Sequence, residues 1–162
     1  YIARMNARCM KFGVTRIGVK TARAIVGNFG SSGRFDYTAH GDAINTAARM
    51  EGVNKHLGTQ ICISGTTVAQ CPNHFFRPIG ALILKGKTEA IEAFEPMTEE
   101  ESKSPLTKRY LEAFELLTRA DPKAEELFTS LKADYPEDAL VKLHYDRITS
   151  GILSSTIVLA EK

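Results

Sequence analysis

Asn45 and Arg49 stand four residues apart at the end of the run "GRFDYTAHGDAINTAAR", with Thr38 and Asp42 ahead of them. These side chains suit a nucleotide. An Arg presents a planar fork of donors that matches phosphate oxygens, and it stabilises negative charge that develops in phosphoryl chemistry. An Asn orients a ribose or a water, and a Thr hydroxyl can donate to or accept from the edge of a base. Further along, "LKGK" sets Lys85 and Lys87 at a tight turn, from which a flexible ammonium reaches a terminal phosphate. Each feature also has a plainer reading. Asn45 and Arg49 could be a solvated helix stripe, Thr38 an ordinary strand residue, and the turn basic because turns are wet.

The elements that must position these groups follow from pattern. A helix beginning near Asp42 and running to Lys55 places Asp42, Asn45 and Arg49 at i, i+3 and i+7, hence on one face, with Ala43, Ala47 and Met50 on the other. Asp42 belongs at the start of that helix, where a carboxylate favours the helix dipole. "FDYTA" reads as a short strand that carries Thr38 up to the helix. Before it, "VTRIGVKT" and "AIVGNFG" read as two strands, joined as a hairpin or as neighbours, with "GSSGR" as a turn. "TQICIS" is a strand with Ile61 and Ile63 inward, Gly65 to Gln70 a short helix, and "FFRPIGALILKGKTEAIEAFEP" two strands around a turn at Gly86-Lys87. Ile2 to Lys11 reads as the end of a helix stopped by Gly13.

Beyond residue 97 the character changes. "MTEEESKSP" is acidic and polar, ends in proline and reads as a linker over residues 98–105. Tyr110, Phe114 and Leu117 then recur at helical spacing, as do Ala124, Leu127, Phe128 and Leu131 behind Asp121-Pro122. A third helix begins at Tyr135-Pro136, with Val141, Tyr145 and Ile148 on a stripe, and ends at Gly151. The expected organisation is an α+β unit over 1–97 and an α-helical extension over 106–162 that resembles a tetratricopeptide-like helix pair. One such pair buries too little by itself and must pack on something.

The bulk composition is that of a soluble globular chain: 162 residues, 43% hydrophobic, with a net charge of +2. No apolar run approaches the roughly 18 to 20 residues of a spanning helix, and no signal peptide is recognisable, so a cytoplasmic location is expected, with membrane anchorage of a parent protein left open. Arg4, Arg8, Lys11, Arg16, Lys20, Arg23 and Arg34 all precede the first acidic residue, Asp36. They lack the aromatic interleaving of a single-strand platform, and nucleic acid is not an expected partner. Cys9, Cys62 and Cys71 match no zinc or disulfide spacing and are expected as buried, reduced thiols. His56, His74 and His144 form no recognisable metal set, and His40 is expected to pack or to lie at an interface.

Taken in order, "RIGV", "AIVGNFGS", "RFDYTAHGDAINTAARMEGVNKHLGT", "ICIS" and "LKGKTEAIEAFEP" resemble the C-terminal half of the catalytic domain of class III nucleotidyl cyclases, over about Ala3 to Pro96. The residues from "YPEDALVKLHYDRITSGILSSTIVLAEK" resemble the C-terminal extension of bacterial adenylate cyclases that carry an upstream sensor. The resemblance implies a ferredoxin-like α+β fold, a homodimer with active sites at the subunit interface, and conversion of ATP to 3',5'-cyclic AMP and pyrophosphate with two divalent metal ions, Mg2+ or Mn2+. It places purine selection on Thr38, in the adenylate form, ribose orientation on Asn45, the transition-state cation on Arg49 and triphosphate binding on Lys85. The family's two metal-binding aspartates and its adenine-binding lysine fall upstream of Tyr1. The chain therefore reads as a fragment, with no metal ligand of its own and expected to be inactive alone. Where the family commonly has Gly-Val-Asn-Thr-Gly, this chain has "GVKTA", and Ala22 would be strained by about 1 kcal/mol if that position needs positive φ. Two other functional classes remain: a degenerate cyclase-like module that dimerises or binds nucleotide for regulation, and a helical interaction protein that uses only the residues after Ser104.

Overall fold

The computed structural model describes residues 13–31 and 33–159. The expected helix over Ile2 to Lys11, and Cys9 with it, lie outside them. In chain order the elements are β1 (Ile17–Val19), β2 (Ile25–Ser31), β3 (Arg34–His40), α1 (Asp42–Leu57), β4 (Ile61–Ser64), α2 (Gly65–Val68), β5 (Phe75–Ile83), β6 (Ile91–Met97), α3 (Glu99–Ser102), α4 (Pro105–Thr118), α5 (Lys123–Asp134), α6 (Ala139–Thr149) and β7 (Thr156–Val158). This is an α+β fold. The central sheet has the order β1-β4-β6-β5-β7, and β2 with β3 forms a separate two-stranded ribbon.

Two expected neighbours are therefore apart. β1 pairs in parallel with β4, whereas β2 pairs antiparallel with β3, in register from Ile25 opposite His40 to Ser31 opposite Arg34. The reason is helix α1, which packs on both β1 and β4. A Cβ at Gly18 would stand 2.1 Å from the Ala47 carbonyl oxygen, so only glycine lets β1 approach the helix this closely. Asn54, fully buried on α1, donates from Nδ2 to the Ile17 carbonyl at 3.0 Å, while its Oδ1 accepts from the Thr59 hydroxyl at 2.7 Å. These bonds satisfy a buried amide and fix how α1 sits on the sheet edge. Ala22 has no positive φ, since the one such non-glycine among the described residues is Ala120, and the feared strain at the "GVKTA" departure does not arise.

β4 departs from simple alternation: Cys62 and Ser64 are as buried as Ile63, because elements cover both faces of this central strand. Burial pushes the Cys62 thiol up to about 12, which makes it an inert packing group, whereas Cys71 is only half-buried.

The expected linker holds the short helix α3. Thr98 accepts from the Glu101 amide through its hydroxyl, and the Glu101 carboxylate accepts from the Thr98 amide at 2.7 Å, a reciprocal capping box. The signal was legible as Thr98-Glu99-Glu100-Glu101. The third tail helix starts later than Tyr135-Pro136, at Ala139, because Asp138 caps it by accepting from the Val141 amide at 2.9 Å. The extension is three helices and a strand rather than a pair of helices. Its β7 adds to the sheet in parallel beside β5, and Tyr110, Phe128, Leu131, Leu140 and Val141 share one hydrophobic core with Met50, Ile79 and Leu82. Each large side chain buried there stabilises the fold by about 2 kcal/mol.

His144 lies in the middle of this core, fully buried among the rings of Tyr110, Phe114 and Phe128. Neither ring nitrogen has a hydrogen-bond partner in good geometry, although the Ile79 backbone faces it. Burial, and secondarily the charge of Arg147, push its pKa from 6.5 down to about 3. The folded state thus resists a proton that the unfolded chain accepts, so this contribution is fully present above pH 6.5 and is lost as pH falls from there toward 3. Acidification from pH 7 to pH 5 is expected to cost about 2 kcal/mol through this one side chain. Urea unfolding at the two pH values, compared between the wild type and His144→Leu, checks it: the variant should lose that share of the pH dependence, and equal slopes would refute the assignment.

Candidate active site

Helix α1 begins where Gly41, at φ 143°, breaks the strand, and ends at Gly58 in the left-handed region. Its buried stripe is Ala43, Thr46, Met50, Val53, Asn54 and Leu57. Asp42, Asn45 and Arg49, all exposed, form a polar stripe that flanks it, as their spacing requires.

The turn after β5 lies against that face. Leu84 is buried and anchors it, and the Lys87 amide donates to the Leu84 carbonyl at 2.9 Å to close it. Gly86 takes φ 67°, so a glycine suits this position. A guanidinium Nη1 of Arg49 donates to the Lys85 carbonyl, bringing together two predicted site residues that are 36 positions apart. Lys87 Nζ donates to Asp42 Oδ1, and Thr46 Oγ1 donates to Asp42 Oδ2 at 3.4 Å. The hydrogen bond and charge of Lys87, with the hydroxyl of Thr46 and the charge of Arg49, hold the Asp42 carboxyl below its usual range.

Asn45 stands one helical turn before Arg49 on the same exposed face. Thr38 sits on β3, opposite Gly27, exposed and four residues ahead of the helix. The structure thus joins Arg49 directly to the Lys85 turn, sets Asn45 beside them and carries Thr38 on the neighbouring hairpin. Asp42 gains a partner that sequence reasoning missed, because Lys87 is 45 positions away and no local pattern links them. His40 packs against Phe29, with ring centroids 4.2 Å apart. Among the described residues, no group of three or more His, Cys, Asp and Glu side chains is gathered closely enough to hold a metal ion.

A face that combines an amide, a guanidinium and an ammonium-bearing turn can bind a polyanion with a sugar. Residues 4–95, more than half of the chain, match the adenylate and guanylate cyclase catalytic domain, and the chain belongs to that family. It is 45% identical over 82 residues to adenylate cyclase 1 of Rhizobium meliloti (strain 1021), covering 50% of this chain and 12% of that protein. It is 39% identical over 83 residues to an adenylate cyclase of Anabaena cylindrica, covering 49% of this chain and 16% of the relative. Among solved structures, the adenylyl cyclase CyaB from P. aeruginosa is similar with a TM-score of 0.51 at 25% identity, over 60% of this chain and 50% of that one. The chain thus spans less than a fifth of the length of these two curated relatives.

Proposed function

We propose that the chain supplies the base-reading, ribose-orienting and phosphate-binding groups of an adenylate cyclase, which converts ATP to 3',5'-cyclic AMP and pyrophosphate in intracellular signalling. The single observation that carries this reading is the seating of Arg49 on the backbone of the Lys85 turn, which brings the turn that bears Lys85 against the helix that bears Asn45 and Arg49. In the reaction the ribose 3'-oxygen loses its proton and attacks the α-phosphorus, and the bond from that phosphorus to the departing pyrophosphate breaks. Thr38 reads the adenine edge, Asn45 orients the ribose, Lys85 binds the triphosphate and Arg49 meets the negative charge that develops as the bond breaks. Family chemistry also uses two divalent ions. The described residues offer no cluster that fits them.

Homodimerisation through the cyclase domain accords with the ribbon of β2 and β3, which leaves Ile25, Val26, Phe35 and Tyr37 exposed, Tyr37 at 75%. No helix among the described residues is long and apolar enough to cross a membrane; a cytoplasmic catalytic part is the location proposed. An upstream sensor in the parent protein belongs to the same reading.

Complementation tests the function. The chain is co-expressed with a family catalytic domain that keeps its metal-binding carboxylates but whose own counterpart of Arg49 has been replaced, in a bacterium lacking its cyclase. Cyclic AMP should accumulate with the pair and with neither chain alone. ATP binding and dimer formation without any cyclic AMP would instead favour a regulatory, non-catalytic module.

A further inference from the structure

The turn after β5 is held to helix α1 at two points, one at each end of the polar face. At one end Arg49 donates to the Lys85 carbonyl, and at the other Lys87 pairs with Asp42. Between them, a Cβ added at Gly86 would stand 3.4 Å from Arg49 Nη1, so the turn backbone runs close to the guanidinium. The bond to the Lys85 carbonyl engages one of five guanidinium N–H donors, which leaves others to meet an anion. The Lys87 side chain is only 25% exposed, whereas that of Asp42 is 72% exposed. Ion pairs this open to water contribute little to folding. What the pair does fix is where the turn lies.

We propose that Asp42 and Lys87 form a positioning pair, a clasp that holds the turn bearing Lys85 against the helix bearing Asn45 and Arg49, so that the ammonium and the guanidinium are presented as one preformed phosphate site. The phosphate role rests on the cyclase reading above; the clasp itself does not. With the clasp undone, the turn spends time away from the helix, and apparent ATP affinity falls by the fraction of molecules left competent. For an exposed pair this amounts to at most about fivefold. The sign discriminates. Removing an anion beside a phosphate site strengthens ATP binding by charge alone, whereas loss of the clasp weakens it.

The experiment uses the 162-residue chain and its variants Asp42→Asn, Lys87→Met, Lys87→Arg and the double variant Asp42→Asn/Lys87→Met. Two quantities are read: hydrogen exchange of the backbone amides of residues 84–90, and the Kd of ATP with Mg2+ by equilibrium dialysis. Far-ultraviolet circular dichroism confirms that each variant is folded. D42N and K87M are expected to speed exchange across the turn about equally, the double variant to exchange no faster than either, and K87R to stay close to wild type. D42N is expected to weaken ATP binding about three- to fivefold. Unchanged exchange in D42N, additive effects in the double variant, or tighter ATP binding by D42N would overturn the proposal. Should the wild-type chain bind no ATP, the turn is not a preformed phosphate site and that role fails, while the exchange measurements still decide the clasp and complementation decides the cyclase reading.

Discussion

Arg49→Ala, in an assembly that makes cyclic AMP, is expected to lower kcat by about 100- to 1,000-fold while KM for ATP changes less than about threefold. The asymmetry follows from when the guanidinium matters. Charge on the phosphate oxygens and the departing pyrophosphate grows toward the transition state, so a donor aimed there stabilises the transition state more than bound ATP. The structure adds a geometric reason for sensitivity: Arg49 is tied to the Lys85 carbonyl, which limits where its remaining donors point. Lys at this position keeps the charge but lacks the planar fork, and cannot hold the turn carbonyl and reach a phosphate in the same way. Arg49→Lys is therefore expected to recover little of the lost rate. Steady-state kinetics separates the outcomes, and equal losses in kcat and affinity would mean that Arg49 only binds.

The second large effect concerns stability. Arg77 on β5 donates to Asp138 at 2.8 Å and to Glu95 at 2.7 Å, with its side chain 10% exposed and its guanidinium carbon 4.9 Å from the centre of the Tyr110 ring. Tyr110 in turn donates its hydroxyl to the Pro78 carbonyl at 2.8 Å. Burial alone would lower the pKa of the guanidinium; Asp138 and Glu95 more than reverse this, so the charge persists. Arg77→Met keeps length and apolar contact with Tyr110 but strands two largely buried carboxylates, and is expected to destabilise the chain by about 3–5 kcal/mol. Asp138→Asn retains a good helix cap and leaves Arg77 its bond to Glu95, so its loss should be clearly smaller. Urea unfolding measures both. A loss below about 1 kcal/mol for Arg77→Met would mean that the carboxylates reach water on their own, against the partner-removal cost expected of a buried pair.

Because Asp138 caps α6 while Arg77 and Glu95 lie on β5 and β6, this network ties the C-terminal helices to the sheet that carries the Lys85 turn. The extension is thereby part of the same packed body as the site. Its β7 covers the edge of β5, and Gly80, at φ 146°, leaves room for the Ser155 carbonyl, which would meet an added Cβ at 2.4 Å.

Local chemistry was enough to read much of this protein from its residues. The polar face of α1 follows from the spacing of Asp42, Asn45 and Arg49, the end of β2 from the glycines that follow its β-branched run, and the family from short motifs in order. The capping box at Thr98 is equally local, although it sits in an acidic run with the composition of a linker. What tertiary structure alone decided are contacts between distant residues: Arg49 with Lys85, Asp42 with Lys87, Arg77 with Asp138, and β1 beside β4 rather than β2. Helix and turn signals arise from interactions a few residues long and so are written in spacing. Which charge meets which across 36 to 61 positions depends on how the sheet is ordered and how α1 packs on it, and burial against other elements, which no short window contains, determines both.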